Sequence, residues 1–331
     1  MIDNLFENIV AANQRIKAVA SGVRETPLEL SNVFSERTGA KVLLKSEHLQ
    51  RTGSFKLRGA MNKVLNLSDE QRCAGIITAS SGNHGVATAQ SAAVTEADVT
   101  IYLAENVSAV KHKRMTRMGA KTIVVAGNGV EAEKVGRAKA ESEGRTFISP
   151  YSDWDVIAGQ GTVGLELAEQ CPDLAAIYVA VGGGGLIAGI GSYIKQLYPE
   201  VEIIGCWPEN AAAMHHCIER GRIYEVPETK TLSEATAGGI EPGAITFPIC
   251  QRIIDRHILV NESEIIGAIR DMAAHENYII EGAAGVALAA GLKDASRFQG
   301  RNIAVVVCGR NIGVESFLSI MGSTQQDAKR N

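Results

Sequence analysis

Short apolar runs alternate with helix-period stretches along most of the chain. The runs at 42–44, 75–78, 99–103, 122–125, 146–148, 176–181, 202–205 and 303–307 are too short for helices and rich in β-branched residues, so they predict strands. Helical spacing fills 83–93, 108–118, 130–143 and 263–275. Nearly continuous apolar strands separated by helices predict an α/β fold, with parallel sheets covered by helices on both faces. The compact run 75–148 predicts a smaller parallel-sheet lobe inserted in a larger one. The division expected is 1–64 and 152–331 for the large lobe and 65–151 for the small one, with a crossing near Pro150-Tyr151-Ser152-Asp153.

The uncharged stretch 174–194 is 21 residues long, nominally enough to span a bilayer. Gly182-Gly183-Gly184-Gly185 at its centre would break such a helix and leave backbone groups unpaired in lipid. A buried strand, a tight loop and a buried helix are expected instead.

At 331 residues the chain can bury a large core, and 45% apolar content is ordinary for a globular protein. A net charge of −4 implies no surface for nucleic acid. The acidic start Met1-Ile2-Asp3-Asn4-Leu5-Phe6-Glu7 lacks the basic and apolar regions of a secretory signal. Six scattered cysteines without a C-x-x-C pair suit a reduced, cytoplasmic enzyme. His215-His216-Cys217 has metal-ligand chemistry, but adjacent helical residues diverge, so no metal site is expected there.

Four motifs carry candidate chemistry. In Arg51-Thr52-Gly53-Ser54-Phe55-Lys56-Leu57-Arg58-Gly59-Ala60 a lysine stands one turn into an expected helix. A lysine forms a Schiff base only as the free amine, and the nearby Arg51, Arg58 and Lys45, with partial desolvation, would lower its pKa. Ser80-Ser81-Gly82-Asn83-His84-Gly85 follows a strand and opens a helix, a place suited to an anion such as a substrate carboxylate. Gly182-Gly183-Gly184-Gly185-Leu186 lies between an apolar strand and an apolar helix, where backbone can wrap a phosphate. Val307-Cys308-Gly309-Arg310-Asn311 ends the last strong strand, the side of a parallel sheet where ligands bind.

Each motif alone has a plainer explanation: a surface lysine, an N-cap, a flexible turn, a strand end. Gly159-Gln160-Gly161-Thr162-Val163-Gly164 has dinucleotide spacing but follows a helical stretch, so that match is accidental. No Gly-Lys-Ser/Thr follows the tetraglycine loop, which excludes a Walker loop. Together the four describe a phosphorylated carbonyl cofactor held over a lysine, and pyridoxal phosphate fits best.

In these motifs and their order the chain resembles the serine/threonine dehydratase and serine racemase family, enzymes of the tryptophan synthase β-subunit fold. The resemblance runs from Thr26-Pro27-Leu28 to Asn311. It implies a catalytic-only homodimer that dehydrates a 3-hydroxy amino acid to a 2-oxo acid and ammonia. It implies that Lys56 carries the cofactor, beside Phe55, and serves as the α-proton base. Asn83 would bond the cofactor ring hydroxyl. Gly182, Gly183, Gly184, Gly185 and Leu186 would hold its phosphate, and Cys308 would face its ring nitrogen. Ser80, Ser81, Asn83 and His84 would hold the substrate carboxylate. Racemisation would need a second acid or base opposite the lysine, and Ser81 occupies the matching position. The same motifs also admit a dehydratase for 3-hydroxyaspartate or 3-phenylserine, and a non-catalytic ligand-binding protein on the same fold.

Two departures from the family pattern stand out. Cation-activated members carry carboxylates where this chain has Trp207 and Ala213, so that metal site is expected to be missing. Tyr151 stands where relatives often have asparagine, and with Arg310 it would reshape the pocket for a substrate other than plain serine or threonine.

Overall fold

The computed structural model describes residues 4–20, 22–105 and 107–322. The larger sheet has six strands, hydrogen-bonded in the order β1 (Leu28–Leu30), β2 (Lys41–Lys45), β10 (Asn302–Val306), β7 (Leu174–Ala180), β8 (Glu202–Pro208) and β9 (Arg256–Val260). The smaller sheet has four, in the order β5 (Lys121–Val125), β4 (Val99–Ala104), β3 (Ile76–Ala79) and β6 (Thr146–Phe147). Every pairing is parallel except β1 with β2. All residues of β3, β4 and β7 are buried, as strands covered on both faces must be.

All eight expected strands form. The two that sequence did not mark are edge strands. β1 has only three residues, and Leu30 is half exposed. β9 opens on Arg256 and His257, and only Ile258 and Val260 are buried, so its apolar signal is sparse.

Five helices precede the middle of the smaller sheet: α1 (Leu5–Lys17), α2 (Asn32–Thr38), α3 (Lys56–Leu65), α4 (Asp69–Ala74) and α5 (Asn83–Thr95). α6 (Ala109–Arg117) and α7 (Gly129–Glu143) complete the cover of that sheet, with α7 packed along β3, β4, β5 and β6. The chain returns to the larger sheet through α8 (Trp154–Gln170) and β7.

The dinucleotide-like glycines lie inside α8, fully buried. A Cβ on Gly159 would sit 2.6 Å from the Gly59 Cα, and one on Gly164 would sit 3.0 Å from the Ile190 carbonyl oxygen. These glycines let α8 press against α3 and against α9 (Gly185–Leu197), which seats the first turn of α3 firmly. The uncharged stretch 174–194 divides into β7, the glycine turn and α9, and no described helix is long and apolar enough to cross a membrane.

The later helices are α10 (Ala213–Arg220), α11 (Thr246–Ile253), α12 (Glu262–His275), α13 (Gly282–Asp294) and α14 (Val314–Gly322). α13 lies across β7, β8, β9 and β10, and α12 packs on it. Its run Gly-Ala-Ala-Gly-Val-Ala-Leu-Ala-Ala-Gly is buried throughout, because small side chains allow close approach to the sheet.

Candidate active site

Lys56 is the first residue of α3 instead of lying a turn inside it. The preceding turn is stitched to the end of β10. The Phe55 N–H donates to the Cys308 carbonyl at 3.1 Å, the Arg310 N–H donates to the Gly53 carbonyl at 2.9 Å, and Ser54 bridges Gly309. Gly53 takes φ +79°, a conformation that favours glycine. This stitching explains why two motifs near opposite ends of the sequence meet at one point.

The Lys56 amine donates to the Pro150 carbonyl oxygen at 2.7 Å and stands 5.2 Å from the Phe55 ring centroid. Part of the side chain faces solvent, yet burial around the amine lowers its pKa to about 8, against an upward pull from Cys308 and Glu281. The help expected from neighbouring cations does not materialise. Arg51 is exposed and donates to the Ala20 carbonyl. Arg58 is neutralised by Glu47 and Glu166, and Lys45 by Glu166.

The serine loop joins β3 to α5, which opens at Asn83. Its serines hold the loop itself. Ser80 Oγ accepts from the Gly82 N–H at 3.2 Å, and Ser81 Oγ accepts from the Ala104 N–H at 3.3 Å. A Cβ on Gly85 would fall 2.2 Å from the Ser80 carbonyl oxygen, so only glycine permits this fold-back. α5 opens at Asn83, so its first N–H groups have no acceptor within the helix, which is the arrangement an anion site requires.

His84 departs from its expected substrate contact. Its side chain is buried, with Nε2 3.1 Å from the Ile148 carbonyl oxygen. Burial, with Lys56 nearby, lowers its pKa to about 3, so the ring is neutral at physiological pH.

The tetraglycine loop leaves β7 and enters α9 at Gly185. A Cβ on Gly182 would meet the Thr236 backbone at 2.9 Å, and one on Gly183 would strike the Tyr151 ring at 2.4 Å. Gly184 takes φ +85°. Tyr151 follows Pro150, whose carbonyl receives the Lys56 amine, so one short segment touches both the lysine and the glycine loop.

Cys308 is buried, and burial pushes its thiol well above the ordinary range, which keeps it neutral. Glu281 is a site residue that sequence reasoning missed. It accepts from Asn83 Nδ2 at 2.8 Å and from the Asn311 N–H at 2.9 Å, and burial raises its pKa. Asn311 Nδ2 in turn donates to Asn83 Oδ1 at 2.6 Å. Arg114 of α6 donates to Asn311 Oδ1 and to the Thr52 carbonyl, tying the smaller sheet's cover to the lysine turn. The only sequence signal for Glu281 is a lone acid beside an apolar helix start, which is common for other reasons.

Trp207 is fully buried and Ala213 nearly so, and neither offers an oxygen ligand. His215 and His216 do not diverge as expected. Their ring centroids are 4.9 Å apart, and both rings approach Glu219.

A family model described as pyridoxal-phosphate dependent enzyme matches residues 19–309. An L-threonine ammonia-lyase from Thermotoga maritima is 39% identical, over 93% of this chain and 76% of its own. Threonine deaminase isoform 2 from Solanum lycopersicum superposes with a TM-score of 0.91 at 32% identity, covering 97% of this chain and 94% of its own. Maize serine racemase superposes with a TM-score of 0.89 at 29% identity, covering 98% of both chains.

Proposed function

The chain belongs to the family of pyridoxal-phosphate dependent enzymes, and from that premise we propose that Lys56 both holds the cofactor and takes the substrate's α-proton. The enzyme is a dehydratase of the serine/threonine class, converting a 3-hydroxy amino acid to a 2-oxo acid and ammonia.

The residues present fit the cofactor. Glycines line the turn where side chains would collide with Tyr151 and Thr236, and the first N–H groups of α9 are without helical acceptors. This cradle suits a phosphate carried by Gly182, Gly183, Gly184, Gly185 and Leu186. Asn83 and the neutral Cys308 thiol would contact the ring, with Phe55 beside Lys56. When bound, the cofactor supplies an electron sink for the charge left on Cα.

The observation that carries the assignment is the placement of Lys56 at the start of α3, its amine on the Pro150 carbonyl at 2.7 Å and the preceding Phe55 N–H on the Cys308 carbonyl after β10, where burial lowers its pKa to about 8. At neutral pH it can exist as the free base, which a surface lysine cannot do appreciably. The backbone N–H groups at the start of α5 orient the substrate carboxylate, with Ser80, Ser81 and Asn83 holding that loop in shape. Glu281 holds the Asn83 amide in one orientation. Buried His84 maintains the loop from below through Ile148.

The test compares wild type with Lys56→Ala in the visible region, beside a 2-oxo acid assay with threonine and serine and chiral analysis of the remaining amino acid. Wild type should show the band of covalently bound cofactor and release 2-oxo acid. Lys56→Ala should lose both. An unchanged band and rate in the variant would remove Lys56 from this role, and racemisation outpacing oxo-acid release would favour a racemase.

A homodimer and a cytoplasmic setting complete the proposal. In support, Val314, Leu318 and Met321 leave an apolar face of α14 uncovered, and all six cysteines are unpaired. A monomer mass by light scattering would remove the dimer.

A further inference from the structure

Away from the lysine, α10 places three potential ligand atoms together. His215 Nε2 lies 3.3 Å from Glu219 Oε2, and His216 Nδ1 lies 3.6 Å from the same oxygen. All three atoms fall within 4.8 Å of one another. Ligand atoms in a tetrahedral zinc site, with bonds near 2.1 Å, are separated by about 3.4 Å. The two nitrogen–oxygen separations already match that edge length.

The surroundings hold His215 in place. Its other ring nitrogen, Nδ1, is 2.7 Å from His257 Nδ1 on β9. When His215 Nδ1–H donates to His257, the lone pair on Nε2 points toward Glu219. The Trp207 ring packs against both imidazoles, with centroids 5.6 and 4.9 Å away. A ligand histidine oriented through its second nitrogen is how protein metal sites are commonly supported.

A simple i,i+4 hydrogen bond would account for His215 and Glu219. An i,i+3 contact brings His216 to the same oxygen, so one carboxylate oxygen faces two imidazole nitrogens. We propose that His215, His216 and Glu219 form a binding site for a divalent transition cation of the zinc type, with water in the fourth position. Imidazole and carboxylate donors suit such a cation, and partly exposed Glu219 provides the entry path. This site uses residues other than positions 207 and 213, where the family pattern would place a carboxylate cation site, although Trp207 packs against His215 and Ala213 opens the same helix. Bound metal would brace α10, whose Met214 packs beneath the glycine loop: a Cβ on Gly184 would lie 3.1 Å from the Met214 Cε.

The test uses the holoenzyme, stripped with a chelator, desalted, and titrated with Zn2+ against a chromophoric zinc indicator. Wild type should bind one zinc per chain, and its melting temperature should rise with zinc concentration. His216→Ala and Glu219→Gln remove partly exposed groups, so their zinc-free melting should stay close to wild type. Each should weaken zinc binding by about tenfold or more, and together they should abolish the melting shift. The proposal is overturned if wild type and the double variant titrate alike, whether both bind zinc elsewhere or neither binds it.

Discussion

Arg58 clasps Glu166 through both terminal nitrogens, at 2.6 and 2.8 Å, two residues beyond the catalytic lysine candidate. Glu47 takes the other side of the guanidinium, and the Lys45 amine reaches Glu166 at 2.6 Å. All four side chains are buried. Charges this deep are tolerable only as a set, so removing one leaves its partners uncompensated.

Glu166→Gln should therefore destabilise the protein by about 3–5 kcal/mol, read as a lower denaturant midpoint with an unchanged slope. Burial pushes the Glu166 pKa up, but Arg58 and Lys45 outweigh it and hold it below 4.5. A depressed carboxyl contributes stability that is fully present above its unfolded value. That stability is lost as pH falls from about 4.5 through the folded value, and the variant should lack this portion of the acid transition.

Lys56 gives a prediction of opposite sense. Its amine is the reactive form, and its pKa is lowered to about 8. About a tenth of the apoenzyme should carry the free amine at pH 7 and about nine-tenths at pH 9. The rate of covalent cofactor uptake by apoenzyme should rise with a midpoint near pH 8 and then level. A midpoint near 10.5 would mean that burial leaves this lysine unperturbed.

These two cases show what the sequence could and could not convey. The apolar runs marked eight of the ten strands among the described residues, because a strand buried on both faces announces itself by composition. The glycine and serine loops stood out in sequence because their runs of small and polar residues exceed what a cap or a tight turn requires. Arg58 and Lys45 were misread, since their partners Glu47 and Glu166 are distant in sequence or unremarkable in context. Glu281 was invisible for the same reason: it meets Asn83 only through folding. Charge neutralisation is a property of tertiary contact, and local spacing does not encode it.

The glycine loop should be intolerant at Gly183 for a specific reason. An added methyl would strike the Tyr151 ring at 2.4 Å. Gly183→Ala should weaken cofactor binding by about 10- to 100-fold, the equivalent of 1–3 kcal/mol of overpacking. Tyr151→Ala removes the clashing ring atoms and should restore part of the loss in the double variant. Fluorescence titration of apoenzyme with the cofactor measures both. An additive double variant would place the defect elsewhere.

Magnesium should not activate the enzyme. Trp207 and Ala213, the positions where the family resemblance would place the carboxylates of a cation site, are both buried. A hard cation finds no oxygen ligand in those side chains. Enzyme stripped with a chelator and then supplied with magnesium should turn over within about twofold of the stripped enzyme alone. A large gain would reveal a site formed by other groups.

Glu281 is best tested with its amide. The carboxylate uses one oxygen for Asn83 Nδ2 and the other for the Asn311 N–H. Glutamine keeps the size but offers only one acceptor, so one of these donors loses its partner. The cost of an unsatisfied buried donor is about 1–3 kcal/mol. Part of that cost should appear as freer movement of the Asn83 amide, which would keep only its Asn311 bond and which the proposed function places against the cofactor ring. Glu281→Gln should lower kcat by about tenfold or more, with KM for the amino acid changing much less. The visible band of the bound cofactor should shift, since its ring contact changes. Glu281→Asp retains both acceptors on a shorter arm and should recover part of kcat. If the variant lost stability but kept kcat, KM and the band unchanged, Glu281 would be a packing residue with no part in positioning Asn83.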